Sequence, residues 1–134
     1  MATAKRLAYF KAKIEDKPGA LLALAKDLKE KKLDLIALKG VSQAGQGEIL
    51  VIAKSPDKLR EAWKASGILA EEGTVFFLSG TDATGALVTS LGAIAKAGVN
   101  LVAIEALAVG GKYGAVLWVS PEDLDKTAQA LGAK

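Results

Sequence analysis

Between residues 7 and 14 the side chains alternate. Ala8, Phe10, Ala12 and Ile14 fall on one side, and Lys11 and Lys13 lie on the other beside Leu7 and Tyr9. That pattern predicts a strand. Leu21, Leu24, Ala25 and Leu28 then recur at helical spacing, with Lys26, Lys29 and Glu30 opposite, which predicts a helix over about residues 19–32. Residues 33–41 and 48–54 read as strands around a turn that holds Gly45 and Gly47. Ser55-Pro56-Asp57 starts a second helix, with Ser55 as cap and Pro56 in the first turn. This helix buries Leu59, Ala62, Trp63 and Ser66, and Gly67 stops it. Residues 68–72 form a short strand with Gly73 as a break or bulge, or else 68–79 is one long element serving both halves of the chain.

The order then starts again. A strand at 74–79 is followed by a helix at 85–97 with Leu87, Leu91, Ile94 and Gly98 on one face. Strands at 99–107 and 115–120 flank a glycine turn at 109–114, and Ser120-Pro121 opens a last helix that buries Leu124, Ala128 and Leu131. Asp16 and Asp82 lie 66 residues apart, as do Gly19 and Gly85, Leu21 and Leu87, and Gly45 and Gly111. Beyond the third strand the offset is 65, matching Ser55 to Ser120 and Gly67 to Gly132, so one copy has lost a residue. The chain is a duplicated small domain.

Each copy reads strand, helix, strand, strand, helix, strand. The expected class is α+β: two tandem ferredoxin-like βαββαβ domains, residues 1–72 and 73–134, the second lacking most of its last strand. The first strand of that second copy is therefore left at an edge or is covered by a strand from elsewhere. The second strands are apolar on both faces, with Ile36, Leu38, Val102 and Ile104 opposite Leu35, Ala37, Leu101 and Ala103. An outer sheet face of that kind calls for burial against the other copy or a second chain, hence a homodimer or a partner protein.

Composition narrows the chemistry. Hydrophobic residues make up 51% of the 134 and aromatics only 5%, so aliphatic side chains and alanine fill the core. The net charge is +3, and Lys29, Lys31 and Lys32 sit beside Asp27, Glu30 and Asp34, a solvated helix face and no nucleic-acid surface. The strands at 49–54 and 115–120 also lack the paired aromatics that stack on RNA bases. With no cysteine and no histidine, thiol catalysis, zinc–thiolate binding and the commonest general base are excluded. No catalytic residue, metal site or cofactor is expected. No apolar run could span a bilayer, and a cytoplasmic location is the default.

The candidate chemistry lies in two strand-to-helix turns, Asp16-Lys17-Pro18-Gly19-Ala20-Leu21 and Asp82-Ala83-Thr84-Gly85-Ala86-Leu87. The first N–H groups of a helix have no partner inside it and can hold a carboxylate. Asp16 and Asp82 can alternatively cap the helices. The turns resemble the signature of the ACT domain family, small regulatory modules that bind amino acids: Asp or Asn-x-Pro-Gly-x-Leu after a strand, then a helix ending near Gly-Val-Asn-Ile. The helices here run into Lys32-Leu33-Asp34-Leu35 and Gly98-Val99-Asn100-Leu101. The resemblance covers about residues 7–132 and extends to stand-alone tandem ACT proteins with no attached enzyme.

It implies an amino acid bound at an interface between two ACT units. Asp16, Lys17, Pro18, Gly19 and Asp34 stand at the matching positions in the first copy, and Asp82, Ala83, Thr84, Gly85 and Asn100 in the second. Thr84 replaces the proline, and Asp34 stands where asparagine is usual. Two acids without a guanidinium make the first set poor for a ligand carboxylate, so the second set has the better chemistry. The expected function is non-catalytic ligand sensing. A ligand-free interaction module built on the apolar sheet faces is the alternative.

Overall fold

A computed structural model describes residues 2–133. Met1 and Lys134, the outer bounds of the two sequence-defined domains, lie outside the described residues. The elements are β1 (Thr3–Glu15), α1 (Ala20–Glu30), β2 (Leu35–Gln43), β3 (Gln46–Ala53), α2 (Pro56–Ser66), β4 (Leu69–Thr81), α3 (Val88–Lys96), β5 (Leu101–Val109), β6 (Lys112–Val119), a 3₁₀ turn (Pro121–Asp123) and α4 (Leu124–Leu131). The strands are hydrogen-bonded in the order β2-β3-β1-β4-β6-β5. The chain forms two compact units, one of residues 8–73 and one that joins residues 2–7 to 74–133.

In the first unit, residues 8–15 of β1 and 69–73 of β4 complete a sheet with β2 and β3. Its helices cover a core of Phe10, Leu24, Leu28, Val51, Leu59 and Trp63. In the second unit, residues 74–81 of β4 and 3–7 of β1 serve β5 and β6 in the same way. Its core is Phe76, Leu78, Ile94, Val99, Leu117 and Val119, with Ala2 and Ala4 packed against it. The Arg6 guanidinium donates to Asp125 at 2.9 Å and lies 5.9 Å from the centre of the Phe76 ring. The strand missing from the end of the second copy is thus supplied from the start of the chain, and β4 is the long element that serves both halves.

The duplication holds in detail. β1 and β4 are each 13 residues long. Phe10 pairs with Val51 as Phe76 pairs with Leu117, each partner 66 residues on. Both β-hairpins shift register at the same place, between Leu35 and Ala37 and between Leu101 and Ala103. The lost residue corresponds to Lys54, because Ala53 matches Val119 at the end of a strand and Ser55 matches Ser120 directly after it. The hairpin tips use Ala44-Gly45 and Gly110-Gly111, all four with positive φ, the geometry that matches the twist of the flanking strands.

Some local expectations change. Gly73 is neither break nor bulge; β4 runs through it, and a Cβ there would come within 2.6 Å of the Tyr9 ring. The face of α1 that is buried is narrower than the stripe suggests. Leu24 and Leu28 are buried, but Leu21 is 43% exposed and Ala25 is exposed. Ser66 is exposed on the last turn of α2, its hydroxyl donating back to the Trp63 carbonyl at 3.3 Å. The outer face of the second strands is open in this chain: Ile36, Leu38, Val102 and Ile104 are all exposed, Val102 by 66%.

Candidate functional site

Each strand-to-helix turn is closed by the same backbone bond. The Ala20 N–H donates to the Lys17 carbonyl at 3.2 Å and the Ala86 N–H to Ala83 at 3.0 Å. The second of the two residues between is a left-handed glycine, Gly19 with φ 87° and Gly85 with φ 72°. A Cβ at Gly19 would meet nothing within 4 Å, so backbone conformation alone demands glycine there. Pro18 therefore lies ahead of the helix rather than at its first position, since Gly19 is the cap of α1. In the second copy Thr84 replaces that proline and α3 starts later, at Val88, after a further tight turn from the Val88 N–H to the Gly85 carbonyl at 3.0 Å.

Neither helix takes a side-chain cap, so Asp16 and Asp82 are not helix caps. Asp16 instead accepts a hydrogen bond from the Ser42 hydroxyl at 2.5 Å, and Lys17 pairs with Glu15 at 2.9 Å. The first turn has satisfied its own charges. Asp82 differs. Its backbone N–H donates to the Gly111 carbonyl at 2.9 Å, while its carboxylate has no partner among the described residues. The residue that matches Ser42 is Ala108, which has no hydroxyl to offer.

A recess opens beside each turn. That of the first unit is about 440 Å³ and is lined by Lys13, Ile14, Glu15, Asp16, Lys17 and the hairpin tip. That of the second unit is about 240 Å³ and includes Gly80, Thr81, Ala83, Gly85, Thr89, Ser90 and Tyr113. Thr81, Thr89, Ser90 and Tyr113 line this recess and were not among the residues the sequence singled out. The repeat itself held the signal, since Thr89 and Ser90 stand where the first copy has Ala23 and the core residue Leu24.

The other expected residues lie elsewhere. Asp34 accepts from the Lys54 N–H at 2.9 Å, beyond the paired Leu35 and Ala53. The turn at Asp16 follows Glu15, which pairs with Gln46 at the opposite end of β3. At about 3.3 Å per residue the two ends are roughly 25 Å apart. Asn100 stands in the same relation to Asp82, ahead of the Leu101–Val119 pair and far from the hairpin tip at Lys112. Each unit therefore brings its turn residues together and keeps its strand-start residue, Asp34 or Asn100, at the other end.

Residues 2–131 match the profile of the ACT domain pair family. The chain belongs to that family. The ACT pair is also similar to solved structures. Protein BT0572 from Bacteroides thetaiotaomicron is 25% identical, with a TM-score of 0.82 over 96% of this chain and 88% of that one. The regulatory subunit of aspartate kinase from Thermus thermophilus, in a ligand-free form, shares the fold at 14% identity and a TM-score of 0.63, over 98% of this chain and 94% of that one. The regulatory subunit of aspartate kinase from Thermus flavus does so at 14% identity and 0.61, with the same coverage. A search of curated protein sequences found no match. No helix of the ACT pair, among the described residues, is long and apolar enough to cross a membrane.

Proposed function

We propose that this ACT pair is a non-catalytic, cytoplasmic sensor that binds a small amino acid beside its strand-to-helix turns, at an interface between ACT units of two chains. The observation that carries this reading is the separation within each unit. The turn offers free helix N–H groups and, in the second unit, an unpaired Asp82 carboxylate for an ammonium group. Asn100 lies roughly 25 Å away along the strands, so a ligand can touch both kinds of residue only when another ACT unit contributes one of them. The open apolar faces around Ile36, Leu38, Val102 and Ile104 give that second copy a surface to bury. A ligand held by two chains favours the assembly that completes its site, and this is how binding becomes a regulatory signal. Family membership as a regulatory module and the shared fold with aspartate kinase regulatory subunits support the role.

Calorimetry of the full chain against the common amino acids tests this. The expected result is saturable heat with at least one of them and a matching shift of the oligomer equilibrium by analytical ultracentrifugation. Gly85→Trp blocks the second turn and should remove the ligand response. The exposed apolar faces also fit a ligand-free interaction module. In that case no amino acid gives heat, and assembly survives Gly85→Trp unchanged.

A further inference from the structure

The two copies treat one cross-strand pair in opposite ways. In the first unit Ile14 pairs with Gly47, and a Cβ on Gly47 would lie 2.9 Å from the Ile14 side chain. In the second unit the pair is Gly80 with Tyr113, and a Cβ on Gly80 would lie 3.0 Å from the Tyr113 ring and 3.4 Å from its hydroxyl. Large and small have changed strands. Leu24, which fills the first core, is replaced by Ser90. Apolar volume has been withdrawn from this corner of the second unit, and hydroxyl groups line what is left. Tyr113 is 8% exposed, and its hydroxyl is buried without a hydrogen-bond partner among the described residues. Native proteins seldom leave such a group unpaired.

We infer that the recess formed by Thr81, Thr89, Ser90 and Tyr113 is a side-chain pocket for an amino acid whose own side chain is uncharged and hydrogen-bonding, a hydroxyl or a carboxamide. This deepens the sensing function proposed above and rests on it: Asp82 and the turn hold the backbone of the ligand, and the recess reads its side chain. Among the described residues no charged side chain lines the recess, so a lysine or aspartate side chain would lose its hydration there without a counter-charge. A purely aliphatic side chain would leave the Tyr113 hydroxyl unpaired. At about 240 Å³ the recess suits a small group. The first unit offers no such selection, because its recess is walled by Lys13, Glu15, Asp16 and Lys17.

Calorimetry of the full chain with L-serine, L-threonine and L-asparagine, against L-lysine, L-aspartate and L-leucine, tests the inference. The first group should bind, and the second should bind at least about 10-fold more weakly, the discrimination expected when a site hydrogen-bonds its substrate. Tyr113→Phe keeps the ring and should weaken the first group by about 10-fold, while glycine, which has no side chain to read, is unaffected. Thr89→Val provides a second isosteric variant should Tyr113→Phe perturb folding. A preference for charged or aliphatic amino acids, or unchanged binding in both variants, overturns the inference. Binding that is lost in Gly19→Trp but kept in Tyr113→Phe overturns it while leaving amino acid sensing intact. If none of the common amino acids binds, the sensing function itself fails.

Discussion

Gly19 shows how little of a residue's role lies in its contacts. There is open space where its Cβ would be, yet its φ of 87° belongs to the left-handed region. Gly19→Ala should therefore destabilise the protein by about 1 kcal/mol, measured by urea unfolding, with no change in packing. The glycine was readable in the sequence from its place between Pro18 and the apolar stripe. The pairing of Asp16 with Ser42 was not, because the two are 26 residues apart and meet only once the β2–β3 hairpin folds back. The same limit hid Tyr113. Alone it reads as part of the glycine turn at 109–114, whereas it lies in β6, and only the exchange of large and small across the repeat marks it as unusual.

Among the elements, the hydrophobic pattern gave the four α-helices of the described residues, with starts displaced where main-chain turns precede them. It did not reveal that β1 reaches back to Thr3, since Thr3, Lys5 and Arg6 break the apolar run. The partner strand makes those residues a strand. Side chains across β4, β1 and β3 tie the first unit together: the Tyr9 hydroxyl donates to Glu71 at 2.7 Å, and Lys11 lies 3.5 Å from both Glu71 and Glu48. Burial, then the bond to Glu71 and its charge, push the Tyr9 pKa up from 10.0 to about 12. The same bond holds Glu71 below the ordinary carboxylate range. An unfolded chain releases the Tyr9 proton near its ordinary pKa while the folded chain retains it. The contribution of Tyr9 is thus complete below that value and is lost as pH rises towards about 12. For Glu71 the contribution is present above its ordinary pKa and is lost on acidification. Unfolding free energies of Tyr9→Phe followed across pH should show a shallower decline on both limbs than those of the wild type.

For the whole molecule, the sequence placed a boundary between two like domains at residues 72 and 73, and the structure gives the second unit a strand from the far side of that boundary. Residues 2–7 belong to the second unit through Ala2, Ala4 and the Arg6–Asp125 bond. A chain lacking residues 2–7 should lose hydrogen-exchange protection across residues 74–81 of β4, β5, β6 and α3 while the core around Phe10 and Trp63 stays protected. Equal loss in both units would show that they do not fold as described. The shared strands also set an order in time. As the chain leaves the ribosome, residues 8–73 emerge as one uninterrupted run and can close their own core early. The second unit needs Arg6 to find Asp125, 119 residues later, so its N-terminal strand must wait until that part of the chain has been made. Pairings of such separation are slow to form, which makes the second unit, with its recess, slower to mature than the first.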